Sequence, residues 1–239
     1  MKFRFPVAVL IALALAGCDR KAGNQNNSSV SPAANSNTTM TGHFIINPQF
    51  DSASSFSEGL AAVRIGDDKT GKWGFIDKQG KMVINPQFDG VSNFSEGLAA
   101  FRIGDYKTGR WGFIDKQGKI VINPQFELAS SFLEGLAEVR IGDDKTGKTG
   151  VIDKQGKIVI NPQFDEVTDF SEGLAAVRIG DYKTGKWGFI DKQGKMVINP
   201  QFGDAQKYND GLALVLIGEL PDPFSLNQNT TGKWGYISR

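Results

Sequence analysis

The sequence predicts an all-β repeat array of five units, each with ~38 residues and three short antiparallel strands. The tetrapeptide Asn-Pro-Gln-Phe begins at residues 47, 85, 123, 161 and 199, at a constant interval of 38. Within each interval, apolar residues alternate with small or polar ones in three short runs that end at turn residues. A period of this length is typical of arrays in which each unit buries its apolar face against its neighbours.

One unit, residues 59–88, illustrates the expected strands. Alternation and a high content of β-branched and aromatic residues mark three runs, at residues 60–65, 73–76 and 82–88. Between the second and third runs, Asp77-Lys-Gln-Gly80 has the residue types of a type I turn with a glycine bulge. We therefore expect these two strands to form an antiparallel hairpin.

The positions of the two ends of the array follow from the same repeat period and strand order. The array is expected to begin on a third strand at residues 43–46 and to end on a second strand at residues 233–237. In a closed ring these ends would complete one shared sheet, whereas in an open array they would be two caps. An insertion at residues 220–229 lengthens the loop before Trp234.

The first 17 residues have the pattern of a secretory signal peptide. Two basic residues precede the apolar run at residues 7–15, and Ala-Gly precedes Cys18. The run is shorter than the ~20 residues that span a bilayer, so we expect cleavage rather than a transmembrane anchor. Residues 15–18 resemble the lipobox of bacterial lipoproteins. This resemblance implies that Cys18 is lipidated and holds the protein at the cell envelope, on its periplasmic or outer surface.

Residues 18–42 are expected to be a disordered tether between the membrane and the folded domain. They are rich in Asn, Ser, Thr and Ala and contain no aromatic residue. Such a segment cannot bury enough apolar surface to fold. The β domain is then expected to comprise residues 43–239.

Three repeated segments resemble the bacterial WG-repeat family over residues 43–239. They read Lys-Trp-Gly-Phe-Ile-Asp-Lys-Gln-Gly-Lys, Ile-Asn-Pro-Gln-Phe and Phe-Ser-Glu-Gly-Leu-Ala. The resemblance implies an all-β array of variable copy number with an interaction role. Variable copy number favours an open, β-solenoid-like array over the alternative of a closed five-bladed, propeller-like ring. Thr149 stands where the pattern has Trp, so we expect the third unit to pack less well.

Two sets of residues are candidates for binding. The tryptophans would suit a glycan or peptidoglycan, although wedges between neighbouring sheets are the favoured interpretation; they are Trp73, Trp111, Trp187 and Trp234. The loops between first and second strands carry residues that suit a protein interface, although plain solvated hairpins are favoured; these residues are Asp68, Tyr106, Asp144 and Tyr182. We expect a non-catalytic scaffold that binds a protein partner, with a glycan as the alternative and an enzyme as a distant one.

Several classes of function are not expected. Removal of Lys2 and Arg4 with the leader leaves 25 basic against 26 acidic residues, which does not favour nucleic-acid binding. Residues 142–149 match a phosphate-loop pattern, but a strand rather than a helix is expected after them, so nucleotide binding is not predicted. With one histidine, His43, and one cysteine, the sequence predicts no metal site and no cofactor.

Overall fold

The computed structural model describes residues 43–143, 146–218 and 232–239. The compact unit is Phe44–Arg239. The predicted leader, Cys18, the predicted tether and Asp144 lie outside the described residues. The described part of the chain contains strands, turns and bends but no helix, and hence no helix able to cross a membrane.

The described residues form five antiparallel sheets, one in each repeat. The strands are β1 Ser52–Ala53, β2 Leu60–Ile65, β3 Lys72–Asp77, β4 Met82–Phe88, β5 Gly90–Val91, β6 Leu98–Ile103, β7 Arg110–Asp115, β8 Ile120–Phe126, β9 Leu128–Ala129, β10 Leu136–Ile141, β11 Lys148–Asp153, β12 Ile158–Phe164, β13 Glu166–Val167, β14 Leu174–Ile179, β15 Lys186–Asp191, β16 Met196–Phe202, β17 Asp204–Ala205, β18 Leu212–Ile217 and β19 Lys233–Ser238. Repeats 1 to 4 each contribute four consecutive strands, β1–β4 through β13–β16, and repeat 5 contributes β17–β19.

The predicted hairpin is confirmed, and its turn residues explain it. Asp77 Oδ1 accepts hydrogen bonds from the backbone N–H groups of Gln79 at 3.0 Å and Lys81 at 2.9 Å. Gly80 donates to the Asp77 carbonyl at 2.9 Å and has a φ of 79°, which a glycine adopts without strain. The turn therefore joins β3 to β4 as the sequence predicts.

The glycine of the Trp-Gly pair is required by the neighbouring strand. A Cβ on Gly74 would lie 2.4 Å from the Ile84 carbonyl oxygen and 2.7 Å from the Pro86 nitrogen. The register of β3 and β4 shifts at this contact, between Trp73 and Phe75, and again between Phe75 and Ile76. Only a residue without a side chain allows the two backbones to approach so closely.

The sheets lie against one another in chain order, and the inner sheets are buried on both faces. From β2, Leu60 and Ala62 belong to the apolar cluster shared with repeat 2, while Ala61 and Val63 belong to a cluster on the opposite face. Four successive residues of β2 are consequently buried, in contrast to the alternation that the sequence predicts. Small alanine side chains on both faces allow the sheets to approach closely.

Polar contacts join each repeat to the next with constant spacing. Ser57 Oγ donates to the Phe94 carbonyl at 2.7 Å, and Glu58 accepts from the Gly97 N–H at 3.0 Å. Lys116, on the following hairpin turn, pairs with Glu58 at 3.1 Å. The same ion pair recurs further along the array, as Lys154 with Glu96, Lys192 with Glu134 and Arg239 with Glu172.

The all-β repeat array is confirmed, with two corrections to its details. Each repeat begins with an additional two-residue strand, which carries too few residues to show a periodicity. Residues 43–46, expected to form a strand, are not in one. The sheets do not close into a ring, because among the described residues no strand pairs with the outer edge of β19.

A cleft at the third repeat is the candidate functional site

The cleft lies between the sheets of repeats 3 and 4, next to the residue that breaks the repeat pattern. Its volume is about 630 Å³. Thr149 on β11 lies at its base and is paired in register with Arg140 on β10 and Phe164 on β12. The walls are formed by the start of repeat 3, by β10 and by the start of repeat 4.

An indole ring occupies the corresponding place in the sister repeats. Trp73, Trp111 and Trp187 each pack against the apolar cluster that their repeat shares with the following one. An arginine from the neighbouring strand covers each ring, at 5.8 Å for Arg64 over Trp73 and 5.9 Å for Arg178 over Trp187. Since threonine is much smaller than tryptophan, the cleft includes the space that an indole fills elsewhere.

A second departure from the pattern puts a carboxyl group into this cleft. Glu138 on β10 stands where the first, second and fourth repeats have Ala62, Ala100 and Ala176. Its side chain is buried, with 7% of the residue exposed, and it shares a short hydrogen bond with Ser130 Oγ. Burial raises the pKa of Glu138 to about 7, opposed by the Ser130 hydrogen bond and assisted by the nearby charge of Asp169.

The carboxyl groups lining the cleft differ in their environments. Burial raises the pKa of Asp165, but hydrogen bonds from Lys148 at 2.6 Å and from the Gly180 N–H at 2.9 Å bring it below its usual value. Glu166 pairs with Arg178 at 3.1 Å. The charge of Glu138 therefore changes near neutral pH.

This arrangement is suited to binding a group of indole size that carries a hydrogen-bond donor. The space accepts a flat ring, the walls supply apolar contacts from Leu128 and Val167, and Glu138 supplies an acceptor. Within the described residues no group of three or more His, Cys, Asp and Glu side chains is placed to hold a metal ion.

The structure places the four predicted tryptophans in two kinds of environment. Trp73 and Trp111 are half-buried and Trp187 is buried, all packed between sheets. Trp234 on β19 is 48% exposed, because no sheet follows it among the described residues. The tryptophans with a following sheet thus lie as wedges in the described structure rather than as an exposed ladder.

The predicted interaction loops lie at the surface and away from the cleft. Tyr106 is 84% exposed and Tyr182 is 71% exposed. Asp68 is also exposed and pairs with Arg64 at 2.5 Å. None of these residues lines the cleft.

Thr149 was predicted from the sequence as a departure from the repeat pattern, whereas Glu138 was not. The signal was present, since repeat 3 reads Leu-Ala-Glu-Val where repeats 1 and 4 read Leu-Ala-Ala-Val. Strand β10 pairs with β11, which brings the two departures to the same cleft.

Comparisons with known proteins address the fold. The sequence pattern of a family described as WG containing repeat matches residues 40–69, 73–106, 111–145, 150–182 and 187–220. No protein with a curated function matches the sequence.

Solved structures that resemble the chain include two peptidases. The apo form of prolyl oligopeptidase B from Galerina marginata gives a TM-score of 0.49 at 12% identity, covering 75% of this chain and 30% of that one. The tricorn protease gives a TM-score of 0.43 at 15% identity, covering 79% of this chain and 21% of that one. The chain spans less than a third of either protein's length, and likenesses of this strength carry no argument about activity.

Proposed function

The chain belongs to the WG containing repeat family, and from that premise we propose that it is a non-catalytic binding scaffold. Its partner is a protein, held at the cleft of repeat 3. In this proposal the lipidated Cys18 anchors the scaffold to a bacterial membrane, and residues 18–42 form the tether.

One observation carries the proposal. Within a nearly uniform array, Thr149 leaves a cleft of about 630 Å³ beside otherwise closely packed repeats, and Glu138 lines that cleft. Thr149 removes the ring that would fill this space, and Glu138 adds a buried polar group that the packing of the sheets does not require. Buried ionisable groups destabilise a fold, so a binding role accounts for the glutamate better than packing does.

The occupant that fits is an aromatic side chain of the partner. The cleft replaces an indole that lies under an arginine in the sister repeats, and Arg140 and Arg178 line it here. Aromatic anchors that enter a pocket supply much of the affinity of protein interfaces. A tryptophan, whose N–H can donate to Glu138, combines the required size with the required donor.

Binding of 5-fluoroindole, followed by fluorine NMR, tests the cleft directly. We expect a dissociation constant on the order of 1 mM, equivalent to about 4 kcal/mol, as is reasonable for a small fragment. Thr149→Trp fills the cleft and should abolish binding, while Thr149→Val keeps the space and should preserve it. Equal binding to the wild type and to Thr149→Trp would rule out the cleft as the site.

The pH dependence of this binding tests the role of Glu138. An ionised carboxylate accepts a hydrogen bond more strongly than a protonated one, so affinity should rise between pH 6 and pH 8. Glu138→Gln should bind with little pH dependence. A wild-type affinity that is flat over this range would remove Glu138 from the proposed binding site.

The membrane anchor is tested separately by replacing Cys18. The full chain expressed in a bacterium should fractionate with membranes, and Cys18→Ala should release it. Mass spectrometry of the N-terminal fragment should show a diacylated cysteine. A soluble wild-type protein would contradict the anchor and leave the cleft experiments unaffected.

Glycan binding through the tryptophans has less support. A ladder of rings requires exposed faces at the repeat spacing, and Trp73, Trp111 and Trp187 are packed between sheets. An enzyme has less support too, because the Ser130 hydroxyl meets the Glu138 carboxyl group but no histidine or cysteine lines the cleft among the described residues.

A further inference from the structure

Among the described residues, the last sheet has one strand fewer than the other four sheets. In repeats 1 to 4 the third strand pairs with a fourth, but β19 has no partner on its outer edge among the described residues. A Cβ on Gly74 would lie 2.4 Å from the fourth strand of its sheet, whereas a Cβ on Gly235 would have no atom within 4 Å. In the part of the chain that the structure describes, the outer edge of β19 is therefore open.

At the other end of the array, a segment with the sequence of a strand is not part of any sheet. Residues 44–50, Phe-Ile-Ile-Asn-Pro-Gln-Phe, match Met-Val-Ile-Asn-Pro-Gln-Phe of β4 but form no strand. They already lie where a preceding fourth strand would lie. A Cβ on Gly80 would be 3.1 Å from Ile46 Cγ2, and one on Gly118 would be 3.2 Å from Ile84 Cγ2.

The aromatic contacts between repeats are also incomplete at both ends. Phe75 of repeat 1 packs on Phe94 of repeat 2 with ring centroids 4.8 Å apart, and both rings are buried. The residue equivalent to Phe75 in repeat 5 is Tyr236, which is 72% exposed. The residue equivalent to Phe94 in repeat 1 is Phe56, which is 43% exposed. Each end thus presents one half of this contact.

The ion pairs between repeats show the same complementarity. Lys116 pairs with Glu58 of the preceding repeat, and Lys154 pairs with Glu96. Lys78 holds the equivalent position in repeat 1, is exposed and has no ion-pair partner among the described residues. Asp210 holds the position of Glu58 in repeat 5 and, within the same part of the chain, is likewise exposed and has none. Opposite charges therefore stand at opposite ends of the array.

We propose that a second copy of this chain docks head to tail on these ends, so that residues 44–50 of one copy complete the last sheet of the next. The contact pairs residues 44–50 with β19, Phe56 with Tyr236, and Lys78 with Asp210. It continues the repeat geometry across the junction between two chains. Because the two surfaces are different, the contact is heterologous and generates rows of copies.

A second copy fits these ends better than an unrelated strand would. A generic peptide added to the edge of β19 would satisfy its backbone groups. It would not supply the aromatic ring and the lysine at the spacing that the repeat contact uses. The start of this chain supplies the strand, the ring and the lysine together, as residues 44–50, Phe56 and Lys78.

Disulfide trapping tests the docking with the full chain in a Cys18→Ser background. We expect Phe56→Cys and Tyr236→Cys variants, mixed under mild oxidation, to form a mixed dimer at least tenfold faster than either variant alone. The matched control pairs Tyr236→Cys with Tyr106→Cys, whose residue is exposed but lies on a loop outside the contact. Trapping no faster than this control would overturn the proposal.

The double variant Phe56→Cys/Tyr236→Cys distinguishes the segments that could cover the outer edge of β19. Docking between copies gives dimers, trimers and longer products on a non-reducing gel. A cross-linked monomer would show that the chain closes on itself. Protection of the thiol introduced by Tyr236→Cys from alkylating reagents, in a monomeric protein, would show that another segment, such as residues 219–231, covers the edge. Either of these results overturns the proposal.

Charge reversal provides a second measurement that does not depend on core packing. Lys78→Glu should weaken association by about tenfold in sedimentation velocity, whereas Lys107→Glu, on an exposed loop, should have no effect. The double variant Lys78→Glu/Asp210→Lys should restore association, because each contact then regains an opposite pair. Failure of the double variant to recover would contradict the pairing.

Discussion

The interface between repeats 2 and 3 and the interface between repeats 3 and 4 have the same backbone arrangement but different side-chain packing. In the first, Trp111, Phe113 and Phe132 fill the space between the sheets. In the second, Thr149 and Val151 take the places of Trp111 and Phe113, and a cleft opens. The strand pairing is the same in both repeats. Side-chain volume at the position of Trp111 and Thr149 therefore decides whether an interface is closed or contains a cleft.

The closed interface should be the more sensitive to truncation. Phe113 is fully buried against Phe132, with ring centroids 4.8 Å apart. Phe113→Ala should lower the free energy of unfolding by about 3–5 kcal/mol, because it leaves a cavity in a packed layer. Urea denaturation measures this change, and Tyr106→Ala, on an exposed loop, should change stability by less than ~0.5 kcal/mol. A loss below ~1 kcal/mol for Phe113→Ala would mean that this interface is not closed.

The open interface should carry a pH dependence that the closed interface lacks. The pKa of Glu138 is about 7 in the folded chain and near its ordinary value of 4.5 when unfolded. Between these values the folded state binds the extra proton, so this group's contribution to stability falls as pH rises. The loss is complete above pH 7 and is on the order of 3 kcal/mol.

The matched variant for that prediction is Glu138→Gln, which keeps the shape of the side chain and cannot titrate. Subtracting its unfolding free energy from that of the wild type isolates the contribution of Glu138. The difference should move in favour of the variant from pH 5 to pH 8. A constant difference across this range would contradict the raised pKa.

Filling the cleft should make the two interfaces alike. Thr149→Trp should raise the free energy of unfolding by about 0.5–2 kcal/mol, as cavity-filling substitutions commonly do. Thr149→Val, which adds no ring, should leave stability within ~0.5 kcal/mol of the wild type. Destabilisation by the tryptophan would show that the walls of the cleft are not spaced like those of the sister interfaces.

The smallest effect concerns the ion pairs that cross the two interfaces. Lys154 pairs with Glu96 across the closed interface and Lys192 with Glu134 across the open one, both at 3.0 Å. Both pairs are partly exposed, so Lys154→Ala and Lys192→Ala should each cost about 0.5 kcal/mol or less. Unequal losses, measured by thermal unfolding, would indicate that the cleft alters the whole interface rather than its centre.

The elements that follow from local chemistry were predictable from the sequence. The turn at Asp77 to Gly80 and the strands on either side of it need only alternation and turn residues. Residues 44–50 have the sequence of a strand but form none, because a strand requires a partner and no described segment pairs with them. Strand β1 has two residues and shows no pattern.

The candidate site was predictable only in part. Thr149 stood out because a tryptophan was expected at its position. Glu138 was harder to recognise, since its significance depends on the pairing of β10 with β11 and on the position of the next sheet. Burial on both faces of β2 was also not visible in the alternation, because residues on either face meet apolar neighbours.

The contacts between repeats join residues at fixed, short separations along the sequence, and this affects folding kinetics. Ser57 bonds to a residue 37 positions away, Glu58 to one 39 positions away, and Lys116 to one 58 positions away. Since these links join adjacent repeats, a short stretch of chain contains all the partners that it needs. Folding can then start in any neighbouring pair of repeats and spread outward in both directions, as in a one-dimensional chain of coupled units. Amides in repeats 1 and 5 should accordingly exchange with solvent before those in repeat 3.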